Sequence, residues 1–277
     1  QRKILDDLQQ AKRLLKPTYP TAGRYRINYF TVMSFLSRIH TQLGNWPDVL
    51  TASNEVIAQS TTYSLEPDIN RAFLIGSTEA IWQTATGNST VNSYEGASFI
   101  PLSGTTVRPN YSIQNGLLNA FTSADKRKIN WITAKTVAGV LYQYPNKYKV
   151  RANASKSECQ MMFRLAEVFL NRAEAEANLN DPTAIDDLNK TRFRAGLGNL
   201  SGVTGQALLD AIIQERRLEL FAEWGLRWFD LKRLGQLNQV LIPLKAEWKS
   251  TASLFPIPNT ERMAAPNLTQ NPGYNKL

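Results

Sequence analysis

Residues able to do chemistry are scarce in this 277-residue chain: it holds one histidine, His40, and one cysteine, Cys159. One thiol cannot close a disulfide within the chain, and one thiol with one imidazole cannot build a Cys/His zinc cluster. A Ser/His/Asp triad would have to form around His40 alone, inside the helical stretch Ser37-Arg38-Ile39-His40-Thr41-Gln42-Leu43. A structural or solvated imidazole is the expectation. Cys159, in Ser157-Glu158-Cys159-Gln160-Met161 ahead of an apolar helix, is expected to be a buried, inert thiol. No nucleophile motif is present. The chain is therefore not expected to be an enzyme, and no metal or cofactor is called for.

Paired carboxylates are the remaining catalytic possibility. Glu215 and Glu219 share one face of a helix at i, i+4, a like-charge spacing that costs free energy unless a cation answers it. Such a pair could perform glycoside hydrolysis, but it is crowded by Arg216, Arg217 and Arg227, and nothing argues for a raised acid pKa. With Trp228 and Asp230 in Arg227-Trp228-Phe229-Asp230, these residues read as a structural network of charge-assisted bonds and stacked rings. Removal of Arg227 is expected to destabilise the fold rather than to abolish binding.

Composition sets the class. Hydrophobic residues at 43% and charged residues at 20% exclude a collagen-like, mucin-like or wholly disordered chain. No apolar run reaches the ~18 to 20 residues that a bilayer helix needs. A net charge of +9 raises nucleic-acid binding. Apart from Lys126-Arg127-Lys128, however, the basic residues stand beside carboxylates, as in Glu215-Arg216-Arg217-Leu218-Glu219. That mixing reads as pairing on helices, and no nucleic-acid partner is expected.

Apolar periodicity supplies the elements that position these side chains. Ile4, Leu8, Ala11 and Leu15, widened by Leu5 and Leu14, predict an amphipathic helix over the first sixteen residues, ended by Pro17. A helix from about Tyr25 to Leu43, a break at Gly44-Asn45-Trp46-Pro47 and a helix from Asp48 to about Ser60 predict a hairpin. The same grammar returns from Phe163 to Leu179-Asn180-Asp181-Pro182 and from Thr183 to about Arg194. The two hairpins look like tetratricopeptide-type pairs, though too far apart in sequence for a tandem array; unrelated hairpins are the alternative. Residues 205 to 224 predict a further helix. Between the hairpins, residues 84 to 116 are rich in Gly, Pro, Ser, Thr and Asn, the chemistry of long loops. Val140, Tyr142 and Tyr144 alternate ahead of Pro145-Asn146 and predict one small β-hairpin returning through Tyr148 and Val150.

Three segments then carry a likeness. The first is Arg164-Leu165-Ala166-Glu167-Val168-Phe169-Leu170-Asn171-Arg172-Ala173-Glu174-Ala175, continuing to Asp187-Leu188-Asn189 and Arg194-Ala195-Gly196-Leu197. The second is Glu215-Arg216-Arg217-Leu218-Glu219-Leu220 with Glu223 and Arg227-Trp228-Phe229-Asp230-Leu231-Lys232-Arg233. The third is Pro256-Ile257-Pro258, Glu261, Asn267-Leu268 and Gln270-Asn271-Pro272-Gly273-Tyr274. In this order they resemble the SusD/RagB family of Bacteroidetes outer-membrane nutrient-binding lipoproteins. Members begin with a lipoprotein signal, a lipid-bearing Cys and further helices, so the chain is expected to lack its N-terminal portion.

The resemblance implies an all-α, SusD-like fold with tetratricopeptide-like hairpins and long irregular loops. One SusD-like domain over 1–277 is expected, made of a helical repeat part (1–65), a loop-rich ligand-facing insertion (66–158) and a helical C-terminal part bearing the motifs (159–277). The implied function is capture of oligosaccharide at the cell surface and delivery to a SusC-like TonB-dependent transporter. Attachment to the outer membrane would be through an N-terminal lipid anchor outside this chain. Peptide or other nutrient capture, and a helical protein-interaction scaffold, are the alternatives. The motifs themselves are expected to support the fold. The ligand face is expected on the loops between about residues 82 and 148, where Trp82, Tyr94 and Tyr111 would stack on sugar rings and Asn88, Asn92 and Asn110 would bond hydroxyls. For Trp82, at the edge of Ala80-Ile81, core packing is the competing expectation.

Overall fold

A computed structural model describes residues 2–87, 90–104, 106–152 and 155–274. The protein is mostly helical, with 45% helix and 10% strand. It forms two compact units, Gln1–Trp224 and Gly225–Leu277.

The first unit opens with α1 (Arg2–Leu14), which buries Leu8, half-buries Leu5 and Ala11 against the core and leaves Ile4 and Leu14 exposed, so the apolar stripe is narrower than predicted. Helix α2 (Tyr29–Leu43) starts four residues later than expected. Asn28 and Thr31 form a capping box there: the Thr31 amide donates to Asn28 Oδ1 (2.9 Å) and the Asn28 amide to Thr31 Oγ1 (3.3 Å). Gly44, left-handed at φ 71°, ends α2 and turns the chain into α3 (Trp46–Ile57). Much later, α7 (Leu165–Asn178) and α8 (Ala184–Arg194) repeat the pattern, with Asn180 left-handed at φ 59°. The hairpins are distant in sequence but neighbours in space, because α3 packs on α7, while α9 (Gly205–Glu219) covers α7 and α8. A polar seam runs through their core. Ser53 bonds Ser37 (2.9 Å), Asn171 donates to Ser37 Oγ (3.0 Å), and Arg216 donates to Asn171 Oδ1 (2.6 Å).

Two small sheets interrupt the helices. β1 (Ala80–Thr84) pairs antiparallel with β4 (Gln160–Arg164), a sheet the periodicity did not reveal. Phe163 and Arg164, expected to begin a helix, therefore end a strand, and α7 starts two residues later than expected. The predicted hairpin exists with a different partner: β3 (Val140–Pro145) pairs back onto β2 (Ile132–Val137), not forward onto Tyr148 and Val150. Ala138 (φ 49°) and Gly139 (φ 78°) are both left-handed, which makes a two-residue turn matched to strand twist. Tyr148 is buried instead, and its hydroxyl accepts from the Met161 amide (3.0 Å). The helix predicted to reach residue 224 ends at Glu219, and the left-handed Ala222 (φ 57°) and Trp224 (φ 45°) turn the chain beyond it.

Beneath β1 and α9 lies a buried ionic lattice. Glu79, Asp125, Glu215, Glu219 and Glu223 face Arg127, Lys147, Arg164 and Arg194, all buried. Arg164 contacts Glu219 Oε1 (2.6 Å), Glu79 Oε1 (2.7 Å) and both oxygens of Glu223 (2.8 and 2.9 Å). Arg127 holds Asp125 (2.8 Å), Glu215 (2.6 Å) and Glu219 (3.1 Å). Arg194 bridges Glu79 and Glu219. Glu215 and Glu219 thus take cations from Arg127, Arg164 and Arg194, none of which the sequence reading had named as their partners. Arg216 serves Asn171 and Glu174 (3.7 Å), and Arg217 donates to the Gly116 carbonyl (2.7 Å). A helix directs neighbouring side chains to different faces, so adjacency in sequence did not identify the partners. Burial works against the Glu219 carboxylate, but Arg194, Arg164, Arg127 and Lys147 outweigh it and hold its pKa well below the usual range. Lys147, pushed down to about 8 by burial, donates to Glu223 (2.5 Å) and lies over the rings of Phe221 (4.3 Å) and Trp131 (4.6 Å).

The remaining motif residues are similarly engaged: Arg38 grips Glu167 with two bonds of 2.6 Å, and Arg172 grips Asp187 at 2.5 and 2.8 Å. His40 is buried, its Nδ1 near Asn45 (3.3 Å) and Asp48 (3.6 Å), and burial lowers its pKa against the pull of Asp48. Cys159 is buried and burial raises its thiol pKa.

In the second unit, α10 (Leu226–Arg233) is followed by α11 (Leu237–Leu241) and α12 (Asn259–Ala264). Arg227 lies on α10; Trp228 stacks on Phe255 (5.4 Å, 26°) and meets Trp248 edge-on (6.0 Å), and Asp230 binds Arg233 (2.8 Å). Gln270 clasps Ile257, accepting from its amide (2.8 Å) and donating to its carbonyl (2.9 Å), which ties two parts of the third motif together. The core of the first unit mixes α1–α3 with β1, β4 and α7.

Arg164→Met would leave Glu79, Glu219 and Glu223 short of a buried cation. Equilibrium denaturation should show a loss of about 3 to 5 kcal/mol.

A pH effect should come from Glu176, whose pKa is pushed up to about 7 by burial and the charge of Asp187, against the pull of Arg172. The folded state then holds a proton that the unfolded chain has released. Its stabilising contribution is present below the ordinary carboxylate pKa and is lost as pH rises through about 7. Glu176→Gln, always neutral, should gain in melting temperature relative to the native protein as pH is raised from about 5 to about 8.

Candidate ligand-binding face

The loop region leaves the first sheet at Thr84 and returns to it at Gln160. Its ends are sewn together by backbone-directed bonds. Asn92 is 1% exposed; its Oδ1 accepts from the amides of Ser157 (2.7 Å) and Glu158 (3.0 Å), and its Nδ2 donates to the Ser155 carbonyl (3.4 Å). Glu158 accepts in turn from the amides of Lys149 (2.6 Å) and Val150 (3.1 Å). Burial raises the Glu158 pKa while those amides and Lys149 pull it back. Asn92, expected to bond a ligand, is therefore an internal clamp, because a buried carboxamide must spend its capacity on the backbone around it.

On this frame sits α4 (Tyr94–Phe99), capped by Ser93 Oγ, which accepts from the Gly96 amide (2.9 Å). Gly96 is required by close approach, since a Cβ there would lie 2.5 Å from the Val150 carbonyl oxygen. Arg151 fastens the other end of α4, donating to the carbonyls of Ala97 and Ile100 (2.6 Å for the latter). Tyr94 and Phe99 stand at the two ends of this helix. The Phe99 ring meets Tyr111 edge-on (5.7 Å, 73°), and Asn110 Nδ2 donates to the Ser98 carbonyl (3.5 Å). Beyond them the Ile113 amide bonds the Gln143 carbonyl (2.7 Å) on β3, and Lys135 of β2 donates to the Leu102 carbonyl (3.0 Å).

The exposed rings of this region, the candidate platform, are Tyr94 (54% exposed) and Tyr111 (57% exposed). A partly buried Phe99 braces the Tyr111 ring, and Asn110, next to it in the chain, is exposed. Of the six residues named from the sequence, Tyr94, Tyr111 and Asn110 stand exposed on the loops. Trp82 does not: its indole stacks on Phe163 (6.3 Å, 17°), donates to the Tyr25 carbonyl (3.3 Å) and packs against the core, as the competing expectation had it. Its strand pairs with β4, which turns the ring onto the sheet. Asn88 lies outside the described residues. Sequence reasoning missed Gly96 and Arg151 as positioning residues, because their partners are main-chain carbonyls distant in sequence.

Comparison with known proteins gives the class. The profile of the SusD family matches residues 68–274. The chain belongs to the SusD family. Among curated relatives, SusD-like protein P25 of Formosa agariphila is 26% identical across 98% of this chain and 63% of that protein. SusD-like protein P2 of the same organism is 38% identical across 40% of the chain and 25% of that protein. The chain thus spans less than two thirds of the length of either. Among solved structures, a SusD-like carbohydrate binding protein from Bacteroides vulgatus is 26% identical (TM-score 0.69, 84% of this chain and 50% of that one). Surface glycan-binding protein A from Bacteroides thetaiotaomicron, solved with laminarihexaose, shares the fold at 21% identity (TM-score 0.79, 98% of this chain and 70% of that one).

Platform and frame should separate by stability. Trp82→Ala should cost about 2 kcal/mol or more through lost packing, and Asn92→Ala about 1 to 3 kcal/mol through unpaired amides. Tyr94→Ala and Tyr111→Ala should stay within about 0.5 kcal/mol of the native protein. Thermal and chemical denaturation of the four variants checks the division.

Proposed function

We propose that this chain is the carbohydrate-capturing part of a non-catalytic cell-surface protein, lipid-anchored at the outer membrane, that passes oligosaccharide to a SusC-like TonB-dependent transporter. The observation that carries this reading is the rigidly framed pair of exposed tyrosines, Tyr94 and Tyr111, with the Asn110 amide beside them. Flat, solvent-facing rings bind the apolar faces of sugars, and an amide offers both a donor and an acceptor to hydroxyls. Family membership supports it, as does the glycan-bound state of a relative with the same fold. Tyr94 stands on a six-residue helix fixed at both ends and the Tyr111 ring rests against Phe99 of that helix, so little conformational entropy is lost on binding. Hand-over to a transporter requires only that capture be reversible.

Calorimetry against a panel of neutral oligosaccharides and short peptides tests the reading. Binding should be confined to sugars, and Tyr94→Ala and Tyr111→Ala should each weaken it by about 1 kcal/mol or more, several-fold in Kd. Binding of peptides alone, or sugar binding indifferent to both substitutions, would overturn it. Recovery of a TonB-dependent transporter with the tagged full-length protein from detergent-solubilised outer membranes tests the partner.

A further inference from the structure

We infer that a groove in the first unit, lined by neither Tyr94 nor Tyr111, is a second ligand site, and that it takes oligosaccharides carrying anionic groups, either uronate carboxylates or sulfate esters. The groove encloses about 900 Å³ between the segment around Leu65 and Pro67 and the C-terminal end of α8. That is within the usual range of ligand pockets, about 300 to 1,000 Å³. Phe193, on the last turn of α8, lines it while 75% exposed, a large ring presented to solvent at the mouth of a concavity.

The charges in the groove are unequal in availability. Arg194 is consumed by Glu79 and Glu219. The Glu66 carboxylate accepts from the Thr78 amide (2.6 Å) and faces Arg71 (3.5 Å), so its charge is met from within. Lys126 and Lys190 differ. Among the described residues neither ammonium has a carboxylate partner; that of Lys190 lies over the Phe169 ring (5.7 Å). The Lys126 stem is held against Gly196, where an added Cβ would come within 3.1 Å of its Cε. Two uncompensated cations therefore flank an exposed ring, at a place where low-dielectric walls concentrate their field. A neutral sugar would gain stacking alone, whereas an anionic one gains stacking and charge pairing together.

The test is titration of the whole chain with tetragalacturonate, a sulfated galactan tetrasaccharide and neutral cellotetraose. At least one charged probe should bind more tightly than cellotetraose, and its Kd should rise several-fold between about 50 and 300 mM salt. Which charged probe binds distinguishes carboxylate from sulfate recognition. The double variant K126Q/K190Q keeps the aliphatic stems and should weaken that binding about tenfold, and Phe193→Ala several-fold. Tyr94→Ala/Tyr111→Ala should leave it within about twofold, so failure of the platform and failure of the groove are read separately. Should the double variant melt early, Lys190→Gln alone replaces it. The inference is overturned if neither charged probe binds, if the lysine variants bind as the native protein does, or if charged binding is lost only with the tyrosines.

Discussion

The Arg164 guanidinium is shared among Glu79, Glu219 and Glu223, and most of the first unit is arranged around it. These groups arrive from the turn before β1, the end of β4, the last turn of α9 and the segment beyond it. Through Arg127 and Arg194 the same lattice reaches α6 (Lys126–Asn130) and the end of α8. Placing so many charges out of water is costly, and only good geometry repays it. A shift of any contributing element would leave a buried charge unpaired. The lattice therefore fixes one relative arrangement of helices and strands rather than simply adding stability. Trp131, against Lys147 and the arginines, supplies an aromatic floor that favours cations at that place.

That arrangement determines where the platform stands. The loop region is held where β1 and β4 meet, and Ala80 and Arg164 face each other in the register at the lattice edge. From that anchored base Asn92, Glu158 and Arg151 extend a second layer of bonds, directed almost wholly to main-chain groups. Loops that carry function must expose side chains without losing their shape, and backbone clamps achieve this because they leave ring identity unconstrained. A scaffold of this kind suits proteins that keep a fold and change ligands, since Tyr94 and Tyr111 can vary without disturbing the clamps.

Several features were legible from the chain itself. Helix pairs followed from apolar periodicity and from Gly44 and Asn180 at their turns, because side-chain burial repeats with the helix and only small or amide residues turn left-handed easily. The spacing of Glu215 and Glu219 already called for cations beside them. A composition of loop residues with tyrosines anticipated that Tyr94 and Tyr111 would be exposed. What the chain did not disclose was partnership. Arg127, Arg164 and Arg194 precede Glu219 by 92, 55 and 25 residues, and no local pattern links them. Short strands such as β1 and β4 carry too few residues for their alternation to stand out, and pairing across some 80 residues decides whether they form at all.

The sequence by itself determined the two helix pairs, the loop-rich segment between them and the need of Glu215 and Glu219 for cations, since these depend on local periodicity and residue chemistry. Tertiary structure alone decided that Asn92 faces inward while Asn110 faces out, that Trp82 packs on Phe163, and that Lys126 and Lys190 share one groove. The reason is geometric. Exposure and charge compensation are properties of what surrounds a side chain, and those surroundings come from segments that meet only when the chain has folded.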